Sequence, residues 1–360
     1  MFGKLFRKSP ADYMLRITPA DIDVRIAASE TLLQGALKQG IAFPHNCRAG
    51  GCGECKCRLL EGKVKELTDK SYLLSAEELR DNYILACQSI PKSDVVISVE
   101  LRQGPAHPLV ECQGSIASMD LLTQDILRLV LDLDATIAYT PGQYAQLSLR
   151  ANDGGELISR NYSFASCPDD SGTSRRVEFF IRKVTGGRFT EALFGQASVG
   201  MTLGLQGPYG DFYLRQAPAP VLCIAGGSGL APLMAILKAE LGKATKPRDL
   251  TLIFGARTQQ DLYLLNMLEQ FGKQWLGRFD FIPILSSEPA AGEWLGRRGL
   301  IPDHIVALLG DRLSQCHAYL CGPPPMIDAC IELLVTQGID QSVVYADKFL
   351  DQSHLNRPSD

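Results

Sequence analysis

The sequence has no excess of basic residues, no long uninterrupted apolar run, no internal repeat and no secretory leader pattern. Each absence excludes a class. With 36 Lys and Arg against 40 Asp and Glu, the formal charge of −4 is the opposite of what a nucleic-acid binder's concentrated basic face requires. The most apolar stretch, VLCIAGGSGLAPLMAIL at 221–237, is broken by Gly-Gly-Ser-Gly and a proline, and it is short for a bilayer span. It reads as a buried strand, a tight loop and a helix. The N-terminus shows neither the apolar core nor the cleavage site of a signal peptide. The eleven cysteines are therefore expected to be reduced thiols in a cytoplasmic protein, clustered for metal or redox chemistry. A chain of 360 residues, 46% apolar and 21% charged, is an ordinary globular protein of two or three domains.

Three blocks follow from periodicity. DYMLRIT (12–18) and DIDVRIAA (21–28) alternate like a hairpin, ETLLQGALKQG (30–40) has helical spacing, and CRLLEGKV and DVVISVEL read as strands. A small sheet with one helix thus occupies 1–103. Two prolines and a glycine in GPAHPLVE make 104–111 a linker. Between 112 and 216 short strand-like runs (GSIASMD, DILRLVLDL, QYAQLSL, NYSFAS, VEFFIRKV, MTLGLQG) are broken by one helical run, RFTEALF, which suggests an antiparallel barrel. From 217 to 349 strands and helices alternate, the pattern of a parallel sheet wrapped by helices, and 350–360 is a tail.

The chemistry begins in CRAGGCGECKC (47–57). Cys47, Cys52 and Cys55 are spaced C-x4-C-x2-C, and Cys87 in LACQ supplies a distant fourth thiolate. That is the plant-type [2Fe–2S] arrangement, whereas a structural zinc site favours two C-x2-C pairs. Gly50, Gly51 and Gly53 suit a loop that needs positive φ and inward amides. Cys57 reads as a small core hydrophobe, and four cysteines leave no vacancy for His45.

Further on, RNYSF (160–164) offers an arginine for a diphosphate, an aromatic ring to stack on a flavin and a hydroxyl for a ring nitrogen, though an ordinary amphipathic strand has the same composition. In KVTGGRFT, Gly186 and Gly187 precede a helix whose positive end suits a phosphate, and Arg188 reads equally as a surface charge. AGGSGLAP (225–232) lacks the third glycine of the dinucleotide fingerprint, since Pro232 stands there. It remains a strand, glycine turn and helix able to present amides to a pyrophosphate, or a turn that serves packing alone. After the second strand of this block, GARTQQDLY (255–263) has only Arg257 to meet a 2′-phosphate, with Asp261 to repel one or to accept from a ribose hydroxyl, so NADH is expected over NADPH.

Taken with GPYG (207–210) and YLCGPPPM (319–326), these motifs resemble the NADH-dependent ferredoxin reductase components of bacterial oxygenases over residues 12–349. The likeness is strongest to the electron-transfer components of xylene monooxygenases. Phenol and toluene hydroxylase reductases and benzoate dioxygenase reductases share the domain order. The resemblance implies a multidomain fold: a plant-type ferredoxin domain (β-grasp, α+β), an antiparallel β-barrel FAD domain and an α/β parallel-sheet NAD domain. It implies FAD contacts from Arg160, Asn161, Tyr162, Ser163, Lys183, Val184, Gly187, Phe189 and Thr190. Nicotinamide nucleotide contacts are implied from Gly226, Gly227, Ser228, Gly229, Ala231 and Pro232, from Gly255, Ala256, Arg257 and Asp261, and from Cys321, Gly322, Pro323, Pro324 and Met326. Ser163, Cys321 and Phe349 would stand nearest the hydride transfer. Cys321 also reads as a buried strand cysteine, and Phe349, which is not terminal here, as a core phenylalanine.

The cofactors implied are NADH, FAD and a [2Fe–2S] cluster, and a flavin placed between them turns one two-electron delivery into single-electron transfers. The partner implied is a hydroxylase, with a membrane-type non-haem di-iron monooxygenase slightly favoured over a soluble di-iron monooxygenase or a Rieske dioxygenase. The intact 160–163, 226–232 and 321–324 motifs argue against a carrier with a degenerate flavin half, while a free-standing reductase of flavins, quinones or a sugar intermediate is a third reading. The chain is expected to be a monomer. In MFGKLFRK, Phe2, Leu5 and Phe6 alternate with Lys4, Arg7 and Lys8, so residues 2–8 suit weak contact with an anionic membrane surface or form an unanchored tail.

Overall fold

A computed structural model describes residues 12–45, 48–102, 104, 107–150, 155–241, 248–290 and 292–349. The basic N-terminal segment, Cys47, part of the linker and the 350–360 tail lie outside the described residues. The chain divides into two compact units, residues 1–110 with 208–211, and residues 111–207 with 212–360.

The first unit is built on strands β1 (Tyr13–Thr18), β2 (Ile22–Ile26), β3 (Lys56–Glu61), β4 (Val64–Glu66), β5 (Tyr83–Leu85), β6 (Ser89–Pro91) and β7 (Val95–Ser98). Five of them form a mixed sheet in the order β2-β1-β7-β3-β5, and β4 and β6 make a separate ribbon. Alternation does the sorting: Leu15 and Ile17 on β1 are buried, and so are Val24 and Ile26 on β2. Helix α1 (Leu32–Lys38) starts where the Thr31 hydroxyl accepts from the Gln34 N–H, and its Leu32, Leu33, Ala36 and Leu37 are buried. Gly35 is required there, because a Cβ would fall 2.3 Å from Ile26 Cδ1. A short helix not read from the sequence, α2 (Ala76–Arg80), begins with a Ser75–Glu78 capping box.

In the second unit, strands β8 (Val110–Leu121), β9 (Ile126–Ala138), β10 (Tyr144–Arg150), β11 (Leu157–Ser163), β12 (Thr173–Arg182) and β13 (Thr202–Tyr209) form one sheet in the order β11-β10-β13-β8-β9-β12. A bridge between Phe164 and Phe179 joins its two ends and closes the barrel. Among the described residues of the barrel, α3 (Arg188–Gln196) is the one α-helical interruption, where RFTEALF predicted it.

The same unit continues into a six-stranded sheet made of β14 (Val221–Gly226), β15 (Leu250–Ala256), β16 (Phe279–Leu285), β17 (Arg297–Arg298), β18 (His317–Gly322) and β19 (Val344–Lys348). All five pairings are parallel, in the order β17-β16-β15-β14-β18-β19. Helices α4 (Leu230–Leu241), α5 (Leu265–Gln274), α6 (Pro302–Leu309) and α7 (Pro324–Thr336) connect the strands. The order reverses between β14 and β18, which puts the ligand crevice at their carboxyl ends.

The barrel and this sheet share one apolar cluster. Ile126 and Phe180 from the barrel pack with Leu230, Met234 and Leu237 of α4. That shared core is why two compact units emerge where the periodicity suggested three blocks. No helix among the described residues is long and apolar enough to cross a membrane.

Candidate functional site

The cysteine loop of the first unit gathers its sulfurs by geometry that spacing alone does not give. Cys55 sits just before β3 and is 3% exposed; Cys87, in the turn after β5, is 5% exposed. The two thiols are in hydrogen-bond contact, and that bond together with burial drives the Cys55 thiol far up from its ordinary value, with Cys52 close enough to add to it. Two thiols that oppose each other's ionisation are the donor set a cation would relieve. The Gln88 amide donates to the Arg48 carbonyl at 3.4 Å and to Cys87 Sγ at 3.7 Å.

Positive φ falls at Arg48, Gly50 and Gly53, so Gly51, expected among the left-handed positions, is not one of them. The Tyr72 hydroxyl closes the loop from outside by donating to the Gly50 carbonyl at 2.6 Å. Cys57 is paired with Ile84 on the sheet, and burial pushes its thiol up to about 12. His45 Nδ1 is bound to the Phe43 carbonyl at 2.7 Å, and burial lowers the ring to about 4. Among the described residues no three His, Cys, Asp or Glu side chains could hold one metal ion. A two-iron cluster divides four thiolates between its irons, and one of the four here, Cys47, lies outside the described residues.

On the barrel, β11 carries the RNYS motif. Arg160 is half-buried and its Nη1 donates to the Ser159 carbonyl at 2.7 Å. Tyr162 leans on Phe189 of α3 with ring centroids 5.3 Å apart, and burial raises its hydroxyl pKa. Asn161 is exposed. The Thr190 hydroxyl donates to the Val184 and Gly187 carbonyls at 3.2 and 3.1 Å and accepts from the Val184 N–H, so it is turned into its own loop. Gly186 N–H is held by Glu191 at 2.8 Å. Thr190 and Gly186 therefore shape this loop. The cap residue of α3, Gly187, offers no side-chain acceptor to the first amides of the helix, the kind of donors that suit an anion. Lys183 lies over the Phe194 ring at 5.8 Å, and Val184 is 41% exposed beside it.

At the switch point two loops meet backbone to backbone. A Cβ on Gly226 would fall 2.7 Å from Met326 Sδ and 2.9 Å from Pro323 Cδ. One on Gly229 would fall 2.2 Å from the Cys321 carbonyl oxygen, and one on Gly322 would fall 2.9 Å from the Gly226 oxygen. Gly227, with φ +54, has open space where its Cβ would be. Packing and ligand access thus fall to different glycines of one motif. The Tyr263 hydroxyl donates to the Gly227 carbonyl at 2.9 Å and steadies the turn. Ala231 and Pro232 are buried in the first turn of α4, and Ser228 precedes them in the turn. Pro324 starts α7, and Gly255 is small because a Cβ there would fall 2.7 Å from Ile301 Cδ1.

Beyond β15, the Asp261 oxygens are taken up by the Thr258 N–H at 2.9 Å, the Thr258 hydroxyl at 3.0 Å and Arg257 at 3.3 Å. Burial works against this carboxylate, but those bonds hold it below its ordinary value. Asp261 is therefore a cap of its own turn, not a free acceptor for a ribose hydroxyl.

One residue of this site was missed in the sequence. Asp347, on β19 opposite Cys321, accepts from the Ser163 hydroxyl at 3.3 Å. It is 7% exposed, and burial raises its carboxyl to about 6. Cys321 beside it is fully buried and its thiol is driven well up, first by burial and then by Asp347. The Phe349 N–H donates to the Gly322 carbonyl at 2.9 Å, which leaves Phe349 half-buried at the same sheet edge.

Three family models match the chain in order: a 2Fe-2S iron-sulfur cluster binding domain over 15–92, an oxidoreductase FAD-binding domain over 113–213 and an oxidoreductase NAD-binding domain over 223–332. The xylene/toluene monooxygenase electron transfer component of Pseudomonas putida is 38% identical over 97% of this chain and 95% of its own length. The chain belongs to the NADH-dependent reductase components of oxygenase systems. The phenol 2-monooxygenase reductase component of a Pseudomonas species is 32% identical, with 94% of each chain covered. The reductase component of a Pseudomonas putida naphthalene 1,2-dioxygenase system is 35% identical over 93% of this chain and 98% of its own. Among solved structures, an Amycolatopsis cytochrome P450 reductase superposes with a TM-score of 0.84 at 29% identity, covering 94% of this chain and 98% of that one. The reductase is thus an oxidoreductase for NADH, FAD and a [2Fe–2S] cluster, and it resembles components that serve several kinds of oxygenase.

Two outcomes are expected from the reductase. Replacing Cys47, Cys52, Cys55 or Cys87 by Ser bleaches the visible absorbance of the cluster, while Cys57→Ser keeps it; the reverse pattern for Cys57 and Cys87 would overturn the ligand assignment. Asp347 binds a proton more tightly folded than unfolded, so its contribution to stability is full below about pH 4 and is lost as pH rises through about 6. Asp347→Asn removes that loss, gaining about 3 kcal/mol over wild type at neutral relative to acid pH. Denaturant titrations at the two pH values, with the carboxyl infrared band as a direct readout, check it.

Proposed function

We propose that this reductase takes electrons from NADH on the carboxyl edge of the parallel sheet and passes them to a hydroxylase component through its cysteine loop. The observation that carries the reading is the crevice between β14 and β18, where open Gly227 and buried Ser163, Asp347 and Cys321 converge in a chain that also holds the cysteine loop. FAD, when bound, would supply the conversion between the two electrons of one hydride and the single electrons that a [2Fe–2S] cluster takes.

The protein's part is to hold and to exclude. Arg160 and the α3 amides would hold the flavin phosphates, Tyr162 and Phe189 would line the ring, and Gly227 with the start of α4 would receive the nucleotide pyrophosphate. Ser163 Oγ and the Asp347 carboxyl form a two-group path that holds or moves a proton at the buried end of the crevice. Cys321, too buried to ionise, contributes a neutral contact beside the nicotinamide, and Phe349 covers the same edge. Residues 1–103, 112–216 and 217–349 are the corresponding domains, joined at 104–111.

The partner we favour is a membrane-type non-haem di-iron monooxygenase acting on an aromatic hydrocarbon, because the 38% relative is a xylene/toluene monooxygenase component. A soluble di-iron monooxygenase or a Rieske dioxygenase is the second reading, supported by the phenol and naphthalene relatives. We place the reductase in the cytoplasm as a monomer, with residues 2–8 giving weak, salt-sensitive contact to an anionic membrane surface.

The test is a split in electron output. Cys52→Ser abolishes cytochrome c reduction while NADH-dependent ferricyanide reduction, drawn from the flavin, stays within about twofold of wild type. Equal loss of both refutes the assigned order. Deleting residues 2–9 abolishes low-salt co-sedimentation with anionic vesicles; full-length protein that never sediments removes the membrane role.

A further inference from the structure

Arg257 follows the last residue of β15, where a dinucleotide's adenosine ribose lies in sheets of this order. It does not face the crevice as a free cation. Its Nη2 is 3.3 Å from Asp261 Oδ1 on its own turn and 3.4 Å from Asp125 Oδ2. Asp125 comes from the turn between β8 and β9, in the barrel rather than the nucleotide sheet. It is fixed there by the Thr123 hydroxyl at 3.0 Å and by Arg182 Nε at 3.1 Å, and its carbonyl accepts from the Lys183 N–H at 2.7 Å.

The charges at this corner can be counted. Asp125 and Asp261 offset Arg182 and Arg257, and Glu288, bound to the Gln259 backbone and side-chain amides at 2.9 and 2.7 Å, is balanced by Arg298 near it. A ribose 2′-phosphate brings one and a half to two further negative charges, by the usual second pKa near 6. Pairing with Arg257 brings it against Asp125, a carboxylate that the barrel holds in place, and against Asp261, both of which already share the guanidinium's Nη2.

We propose that Asp125 is a specificity-determining positioning residue, which occupies Arg257 from the barrel side and so excludes a 2′-phosphate. The 2′-hydroxyl of NADH carries no charge and is not penalised. The inference rests on the NADH reading of the crevice and extends it to a residue outside every nucleotide motif of the chain.

The test uses the holoenzyme with Asp125→Asn. kcat/KM for NADPH rises about fivefold, the size expected for freeing one partly exposed ion pair, and the gain lies in KM. The value for NADH stays within about twofold. Affinity for 2′,5′-ADP, read by calorimetry, rises in parallel while that for 5′-ADP does not. Adding Arg257→Ala to Asp125→Asn erases the gain, which a loosened fold would not do. An unchanged NADPH-to-NADH ratio in a folded, flavin-loaded Asp125→Asn protein overturns the role of Asp125 alone. A wild type that prefers NADPH overturns the NADH reading beneath it. Should Asp125→Asn lose its flavin, Asp125→Ser is measured by the same ratio and judged by the same outcomes.

Discussion

Everything at the crevice depends on two loops approaching with only backbone between them. Gly226 and Gly229 end β14 and lead into α4, while Cys321 and Gly322 end β18, and none of the three glycines has room for a Cβ. That contact sets the distance between the central strands at their carboxyl edge. It leaves Gly227 as the glycine of the turn with open space beside it. A side chain at Gly229 would push into the Cys321 carbonyl, and every group aligned on β18 and β19 would shift with it.

From that edge the ordering runs outward through parallel register. Cys321 lies opposite both Ala225 and Asp347, so β14, β18 and the edge strand β19 bring residues near their carboxyl ends to one place. The barrel then adds Ser163, and the shared apolar cluster of Ile126, Phe180 and α4 holds barrel and sheet together while this is done. Burial explains the electrostatics. Asp347 and Cys321 are raised mainly because water is excluded, which keeps the Cys321 thiol neutral and brings the Asp347 carboxyl to about 6, within reach of proton exchange near neutral pH.

The cysteine loop uses the opposite logic. Its backbone is bent by left-handed positions at Arg48, Gly50 and Gly53 and tied down by Tyr72 and Gln88, with the thiols turned inward. Gly50 and Gly53 were legible in advance as turn glycines of the cysteine loop, whereas the ties from Tyr72 and Gln88 were not. Arg48 was not, since nothing in its side chain announces a positive φ. The strands of the barrel and α3 also appeared where alternation and spacing put them. Short elements without a full period, such as α2, β17 and β19, did not, because two to five residues carry too little pattern.

By itself the sequence determined the order of the three blocks, the cysteine set and the glycine turns, because each depends on residues close together along the chain. The tertiary structure decided what those motifs face. Ser163 and Asp347 are 184 residues apart, and Asp125 and Arg257 are 132 apart. Hydrophobic periodicity tells which face of a strand is buried, but not which residue of a distant strand will stand opposite it. That pairing follows from how the barrel packs on α4 and from the parallel register of β18 and β19, and both exist only once the chain has folded.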